Sequence, residues 1–394
     1  MNFLQENLYW SSATENHKSY PKLNSNIECD VVIAGGGIAG CLTAYYLSQY
    51  NINTVLIEKG RIANGSTILS SGILKYELSK ELTELENLIS SEQAVRAYKL
   101  CQKSIDDIEN ILSNILRPAD FQRTDNIYLN SLKQDSLKKE YDYRKSLGFP
   151  VQYMDKDVVK GNFLSLSTDA IYSKSHAVFN PLKLCHGLIK SSVSKGAKVY
   201  ENTPLISFDF SPDKIRVNTD SFHITCKKLV FAAGHSSLKL IRDDIVEFLP
   251  GYTIVTNEIK NFKVWYKKCL IHEIGKASFN IRTLNHNRIL IQMYHSSKNE
   301  KENLNEEIDI LLNKLRILLP ENLSLQPEYF WKCFYAKTKD DLPYIGEHPD
   351  FPNCYFNLPF GGNGEALAVT GAQIIKDLIL YNNNPDAKLF SFKR

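Results

Sequence analysis

The chain has 394 residues, which is too long for one compact core and predicts two domains, or at most three. Its 47 basic and 44 acidic residues leave a formal net charge of +3, which argues against a dedicated nucleic-acid binder with a basic stripe. No stretch reaches the roughly 18 apolar residues that span a membrane, and the eight cysteines include no pair at the spacing of a zinc or redox site, so we expect no integral membrane segment, no metal site and a cytoplasmic location.

The N-terminal region predicts a polar arm followed by a strand, a turn, a helix and a second strand. Residues 1–26 are polar and lack the basic and apolar regions of a signal peptide. Residues 29–34 and 54–58 are short β-branched runs, and the segment between them contains a glycine-rich turn and apolar residues at helical spacing. This order is typical of a βαβ unit that opens a parallel sheet.

The rest of the chain alternates between helical and extended patterns. Apolar residues at helical spacing predict helices at 79–117 (ended by Pro118), 133–147, 181–192, 301–320 and 365–380. β-Branched runs predict strands at 197–200, 204–210, 214–218 and 222–232, and a mostly extended region at 250–300.

Gly35, Gly37 and Gly40 form a G-x-G-x-x-G pattern between the first predicted strand and the first long helix. The first glycine permits a tight turn, the second lets the backbone approach a pyrophosphate, and the third lets the helix and strand pack closely. The free N–H groups at the helix start favour a phosphate. Glu58, eighteen residues after Gly40, ends the next strand and would accept hydrogen bonds from ribose hydroxyls. The pattern predicts dinucleotide binding without choosing between NAD and FAD.

Three further segments resemble cofactor-binding segments of the D-amino-acid oxidase superfamily, in particular its glycine oxidase, sarcosine oxidase and glutamylputrescine oxidase branches. They are KGRIANGSTILSSGIL after Glu58, KLVFAAGHSS at 228–237, and KTKDDLPYIGEHPDFPNCYFNLPFGGNGEALAVTGAQIIKDLI at 337–379. The resemblance implies FAD as the cofactor. Besides the fingerprint, it implies cofactor contacts at Ile38, Ala39, Lys59, Ser66, Thr67, Ser70, Ser71, Gly72, Leu205, Ala232, Ala233, Gly234, Cys333, Gly361, Gly362, Asn363 and Gly364.

The same resemblance implies an α/β fold with two domains. One is a Rossmann-like FAD-binding domain with a parallel sheet, and the other is an α+β substrate domain built on a mostly antiparallel sheet. We expect an N-terminal arm at 1–26, a discontinuous FAD-binding domain at 27–80, 172–240 and 332–394, and a substrate domain at 81–171 and 241–331.

The family chemistry implied is oxidation of a C–N bond in a small amine or amino acid, with a hydride equivalent passed to FAD and then to oxygen, which gives hydrogen peroxide. A carboxylate substrate needs a fixed cation. Arg282, in the segment FNIRT, is the first candidate, and a solvent-facing strand arginine is the equal alternative. Lys75 is a weaker candidate; it comes just after residues 59–74, the segment that the resemblance places around the flavin and that we call the flavin loop. Lys276 and His272 would lie in the pocket and assist oxygen chemistry, or lie at the surface.

Cys333 leaves the mode of FAD attachment open. Its spacing from Tyr335, Thr338 and Asp340 resembles the segment in which sarcosine oxidases attach FAD through a cysteine. Trp331 equally resembles relatives that lack this bond. A thiolate near the methyl edge of the flavin could attack it, but a buried structural cysteine is the commoner case. We therefore predict non-covalent FAD.

Departures from the family pattern leave the substrate open. Gln292 and Met293 replace two glycines of a family strand, Asn363 stands where histidine is common, and Glu365 is an acid where a small or apolar residue is common. Alternatives to an oxidase are a dehydrogenase that passes electrons to a quinone or carrier protein, and a flavoprotein with reduced catalysis and a binding role. A further alternative is a tRNA-modifying enzyme, against which the near-neutral charge argues.

Overall fold

The computed structural model describes residues 8–14, 18–115, 119–131, 134–162, 168–211, 213–241, 244–259, 266–297, 303–319 and 324–394. Pro118, the predicted end of a helix, lies outside these ranges. Within them, no helix has the length and apolar character needed to cross a membrane.

The elements of the described residues follow in chain order. The strands are β1 (Ile27–Glu28), β2 (Val31–Ala34), β3 (Thr54–Ile57), β4 (Ile73–Leu74), β5 (Gln122–Asn130), β6 (Val151–Met154), β7 (Ala170–Val178), β8 (Lys198–Tyr200), β9 (Ser207–Phe210), β10 (Ile215–Asn218), β11 (His223–Cys226), β12 (Lys228–Phe231), β13 (Glu247–Thr256), β14 (Leu270–Ile274), β15 (Ala277–Leu284), β16 (Arg288–His295), β17 (Pro327–Lys337), β18 (Tyr344–His348) and β19 (Phe351–Leu358). The helices are α1 (Tyr9–Ser12), α2 (Ile38–Ser48), α3 (Leu82–Leu85), α4 (Ser91–Ile115), α5 (Gln134–Ser146), α6 (Lys156–Asn162), α7 (Pro181–Ser194), α8 (Leu304–Leu318) and α9 (Gly364–Tyr381).

A six-stranded sheet with the order β18-β19-β12-β2-β3-β8 contains the predicted βαβ unit. All its pairings are parallel except that of β18 with β19. Every residue of β2 and β3 is buried, as expected for parallel strands covered on both faces. Strands β3 and β12 flank β2 on opposite sides, so the carboxyl end of β2 is a topological switch point, where open α/β sheets bind ligands.

A nine-stranded sheet forms the second layer of the molecule. Its main path is β17-β13-β16-β15-β14-β5-β7-β4, and β6 pairs with β7. All these pairings are antiparallel except that of β14 with β5. The mixed α/β class with one parallel and one mostly antiparallel sheet is therefore confirmed. A separate four-stranded sheet, β1-β11-β10-β9, lies beside the parallel one.

The strand pairing bears on the proposed domain division, which remains a proposal. The region 250–300 pairs within the nine-stranded sheet, as the substrate domain requires. Strand β17 also belongs to that sheet along its whole length, because it pairs with β13. Residues 332–337, which the sequence assigned to the FAD-binding domain, therefore pair within the sheet of the proposed substrate domain.

The single helix predicted at 79–117 is two helices, α3 and α4. The backbone N–H groups of Leu82 and Thr83 donate to the buried carboxylate of Glu140 at 2.8 and 3.0 Å. This contact from α5 fixes a separate helix start at α3. The local spacing of apolar residues does not reveal a tertiary contact of this kind.

Candidate active site

The turn after β2 requires glycine at two of the fingerprint positions. Gly35 has a φ of +116°, and a Cβ there would lie 2.6 Å from the carbonyl carbon of Ala232. A Cβ on Gly40 would collide with the carbonyl oxygen of Gly35. The two glycines therefore let β2, α2 and the end of β12 meet at the switch point.

The N-terminus of α2 opens at this turn. Its N-cap, Gly37, provides no side chain to cap the helix, and the N–H of Ile38 donates to Oγ1 of Thr67 at 3.0 Å. The two carboxylate oxygens of Glu58 accept from the N–H groups of Gly36 at 2.7 Å and Gly60 at 2.9 Å. Glu58 thus ties the turn after β2 to the turn after β3, and each of its oxygens retains a lone pair for a further donor.

A cavity of about 470 Å³ extends from Ile38 into the space between the two large sheets. It gathers most of the loops that the sequence singled out. The predicted residues that line it are Ile38, Ser66, Thr67, Ser70, Ser71, Lys75, Gly234, His272, Cys333, Gly361, Gly362, Asn363 and Gly364.

A second helix N-terminus, that of α9, faces the same cavity. Its N-cap, Asn363, has a φ of +69° and does not cap the helix with its side chain; instead Nδ2 donates to the carbonyl of Lys75. Gly361, at a φ of +81°, leaves no room for a Cβ because the carbonyl of Asp341 lies against it. The turn therefore presents free helical N–H groups to the cavity at close backbone contact.

These features fit FAD. Two helix N-termini whose own N-cap residues provide no side-chain cap open to one cavity, and a helix N-terminus attracts negative charge. The α2 end and Thr67 suit the pyrophosphate, and Glu58 suits a ribose. The α9 end suits the pyrimidine edge of the flavin, which carries negative charge when reduced.

One wall of the cavity is polar. Nζ of Lys75 lies 3.0 Å from Nε2 of His272 and 3.2 Å from Oδ1 of Asn280. Burial lowers the pKa of Lys75 to about 8. Burial, and then the charge of Lys75, lower the pKa of His272 well below its ordinary value, so His272 is neutral and accepts from Lys75.

A buried ionic network lies behind this wall. Nε2 of His176 lies 2.6 Å from Glu77, Ser173 donates to Glu77 at 2.8 Å, and Nε of Arg144 donates to Glu140 at 2.5 Å. Burial alone would raise the pKa of Glu77, but the charge and hydrogen bond of His176 and the charge of Arg144 lower it well below its ordinary range. Glu77 is thus a fixed negative charge two residues from Lys75.

Glu365 adds a carboxyl group in the first turn of α9. Oγ of Ser70 donates to its Oε1 at 2.5 Å, and Glu365 lines the cavity. Burial raises its pKa. The cavity lining therefore includes the basic Lys75 and the acidic Glu365 on different elements, together with Lys80, Lys337, Glu84 and Asp341.

Comparisons with known proteins agree with this architecture. The sequence model of the DAO family, described as FAD dependent oxidoreductase, matches residues 30–378. The chain belongs to this family. It is therefore an FAD-dependent enzyme among the amine and amino-acid oxidoreductases.

Similar proteins cover nearly the whole chain of this FAD-dependent oxidoreductase. It is 24% identical to a protein of Bacillus subtilis named as Rieske 2Fe-2S iron-sulfur protein YhfW, over 98% of the chain and 75% of that protein. It is 25% identical to glycine oxidase of Bacillus licheniformis, over 90% of the chain and 93% of that protein. The crystal structure of glycine oxidase from Geobacillus kaustophilus has the same fold, with a TM-score of 0.77, 20% identity and coverage of 93% and 99% of the two chains.

Cys333 lines the cavity, but its thiol is not activated. Sγ lies 3.6 Å from Nε2 of Gln292 and 3.9 Å from Oγ1 of Thr253. Burial raises the pKa of Cys333 to about 12, so the thiol is protonated at neutral pH. Non-covalent FAD therefore stays our prediction for this oxidoreductase.

Arg282 lies outside this cavity, contrary to the expectation that it would face the substrate. Its Nη1 donates to the carbonyls of Gly72 at 2.6 Å, Phe179 at 3.1 Å and Ser71 at 3.2 Å. The side chain thus supports the backbone of the flavin loop from behind, and we do not propose it as the carboxylate ligand. Lys276 is exposed on the turn between β14 and β15, outside the cavity.

Other predicted cofactor residues lie around the cavity instead of lining it. Ala39 and Ala232 are buried in the packing of α2 against the sheet, and Ala233 follows β12 at the switch point. Nζ of Lys59 lies 3.4 Å from Oγ of Ser236. Leu205 packs half-buried against the cluster beside the four-stranded sheet.

Sequence reasoning missed Asn280 and the network around Glu77. Asn280 pairs directly with His272 across the antiparallel strands β14 and β15. A hairpin centred on Lys276 puts these two residues opposite each other, so the turn at Gly275 was the available signal. The sequence offers no comparable signal for Glu77, because its partners come from β7 and α5.

Proposed function

We propose that this enzyme oxidises the C–N bond of a small amino acid, with oxygen as the final electron acceptor and hydrogen peroxide as the product. The observation that carries the proposal is Lys75, a half-buried lysine in the wall of the cavity that the cofactor loops also line. Lys75 takes over the role of carboxylate ligand that the sequence favoured for Arg282.

The surroundings of Lys75 favour a carboxylate substrate over a plain amine. Its two hydrogen-bond partners, His272 and Asn280, are neutral. No carboxylate among the described residues forms a direct ion pair with it, although the charges of Glu77 and Glu365 stabilise its cation at longer range. A partly buried cation without a direct counter-ion is costly. A substrate carboxylate would supply that charge, and Asn280 Nδ2 would be available as a second donor.

Glu365 supports an amino-acid substrate because it supplies an acidic group for the amino end. A free amino acid carries a carboxylate and an ammonium group, and the cavity presents a basic and an acidic side chain to match them. We propose that Lys75 holds the carboxylate and that Glu365 accepts a hydrogen bond from the amino group. This arrangement would fix the orientation of the carbon between them.

The reaction removes two electrons and two protons from the substrate. FAD, when bound, supplies the two-electron acceptor. The α C–H bond is broken, its electron pair leaves the substrate, the nitrogen loses a proton, and a C=N bond forms. Water then hydrolyses the imine to a carbonyl compound and an amine or ammonia. The chain orients the substrate, excludes water from the buried cavity and stabilises negative charge at the α9 N-terminus.

An anaerobic titration with matched pairs of compounds tests the substrate class. Glycine is compared with methylamine, and N-methylglycine with dimethylamine, while the visible absorbance of the bound flavin is followed. We expect the amino acid of at least one pair to bleach the flavin and its amine to leave the flavin oxidised. Equal bleaching by both members would contradict a carboxylate subsite at Lys75.

The electron acceptor is tested separately in air. Stoichiometric hydrogen peroxide for each substrate turned over supports an oxidase. Bleaching without peroxide, relieved by a quinone, would instead show the dehydrogenase that the sequence left open.

A further inference from the structure

A second cavity of about 250 Å³ lies behind the flavin loop, on the side away from Lys75. It shares no lining residue with the larger cavity. Its lining combines basic groups with amide groups, and includes Arg282, Lys268, His286, Asn180, Asn285 and Asn287, with Asp120 as the acidic member. Nothing in the amine-oxidation proposal uses this cavity.

Arg282 is the buried charge of this second cavity. Its side chain has only 5% of its surface exposed, and burial lowers its pKa to about 9. Among the residues that the structure describes, no carboxylate forms an ion pair with Arg282. Its hydrogen bonds to these residues come from Nε and Nη1, and Nη2 forms none. A guanidinium offers donors in a planar fork that matches an oxyanion, so the cavity provides an anion with an unused donor.

The other charges of the cavity add to this preference. Asp120 accepts from Nζ of Lys183 at 2.9 Å through both oxygens, which offsets its negative charge. Lys268 and His286 stand exposed at the cavity lining, on the segment before β14 and the turn before β16. Arg282 at the base and these two residues at the rim surround the space with donors.

We propose that this second cavity is a binding site for a small oxyanion, either a phosphate or a carboxylate, that stabilises the flavin loop from behind. Nη1 of Arg282 already holds the carbonyls of Ser71 and Gly72. An anion on Nη2 would fix the guanidinium that holds them. The same loop carries Ser70 and Ser71 into the larger cavity and leads through β4 to Lys75, so occupancy behind the loop stabilises bound FAD in front of it.

The test measures thermal release of FAD from the holoenzyme by flavin fluorescence, with inorganic phosphate or acetate titrated against sodium chloride at equal ionic strength. We expect a saturable rise in the release temperature with one of the two anions. A larger rise with phosphate assigns a phosphoryl ligand, and a larger rise with acetate assigns a carboxylate. No saturable rise with either anion would overturn the proposal.

Variants locate the effect. The double variant Lys268→Met with His286→Gln should lose the rise, and it leaves the buried Arg282 and its backbone contacts in place. Lys267→Met is the matched control, because Lys267 is an exposed neighbour that bonds to Tyr172 and does not line the cavity. Lys75→Met should keep the rise. A rise that persists in the double variant, or that disappears in Lys75→Met, would overturn the proposal and assign the anion elsewhere.

Discussion

The two ends of the main cavity are built in different ways. At the α2 end, backbone meets backbone: Gly35, Gly40 and Ala232 approach so closely that a single added carbon collides. At the polar wall, side chains from separate strands meet, and Lys75 contacts His272 and Asn280 across the sheet. The first end carries the dinucleotide fingerprint, and we propose that the second binds the substrate carboxylate. Substitutions at the α2 end should therefore reduce FAD binding, and substitutions at the polar wall should reduce activity on the substrate.

The largest effect is expected at the backbone end. Gly40→Ala should give protein without bound FAD, because the new Cβ collides with the carbonyl of Gly35. Overlap of this kind belongs among single substitutions that cost more than about 4 kcal/mol. The measurement is the ratio of flavin to protein absorbance after purification. Gly65→Ala is the matched control, since Gly65 is exposed and has open space around its Cβ position. Equal flavin content in both variants would contradict close packing at Gly40.

The next effect is expected at the polar wall. Lys75→Met should retain FAD. Its kcat/KM for an amino acid should fall by an amount equivalent to about 2–5 kcal/mol of transition-state stabilisation, because one partner of the proposed charge pair is removed. Steady-state kinetics on the amino acid and its matched amine measure the difference. Lys276→Met serves as the control, because this lysine is exposed on the adjacent turn. If Lys276→Met lowers kcat/KM as strongly as Lys75→Met does, the carboxylate is held elsewhere.

A smaller and graded effect follows from the pKa of Lys75, which burial lowers to about 8. Below this pH the side chain is cationic and binds a carboxylate, and above it the charge is lost. The affinity for a carboxylate inhibitor should fall by about tenfold for each pH unit above the pKa. A titration of inhibitor affinity against pH checks this, and Lys75→Met should show a flat profile over the same range. A wild-type profile that is also flat would argue against Lys75 as the ligand.

The smallest effect is expected at Cys333. Since burial raises its pKa to about 12, the thiol should not bond to the flavin. Acid precipitation should release the yellow colour into solution from wild-type protein and from Cys333→Ala alike. Colour that stays with the wild-type pellet and leaves with the variant would show covalent attachment.

The difference between the two ends also explains what could be predicted from the sequence. The α2 end depends on glycines at fixed spacing between a strand and a helix, so Gly35, Gly37 and Gly40 predicted a dinucleotide-binding βαβ unit. The choice of FAD came from the resemblance of three further segments to the D-amino-acid oxidase superfamily. The polar wall depends on the register of strands. Arg282 was the first candidate for the carboxylate ligand because its segment resembles a family strand, with a solvent-facing arginine as the equal alternative. Its side chain instead contacts the backbone behind the flavin loop, and Lys75 lines the cavity.

Strand β7 shows a related limit. Its nine residues include Ser173 and His176, both fully buried, so the strand has neither a continuous apolar run nor a clean alternation. Both polar side chains are buried because they bond to Glu77. Neither strand β7 nor its contact with Glu77 could therefore be predicted from the local sequence pattern.

We propose that FAD and a carboxylate-bearing amine share one cavity, with Lys75 as the ligand of the carboxylate. The most direct measurement is anaerobic reduction of the bound flavin in wild-type and Lys75→Met protein by N-methylglycine, glycine and their matched amines. We expect an amino acid to bleach the wild-type flavin and its matched amine to leave it oxidised. We expect Lys75→Met to retain FAD but to lose the preference for the amino acid over the amine. Bleaching of Lys75→Met by the amino acid at the wild-type rate and concentration dependence would contradict this proposal.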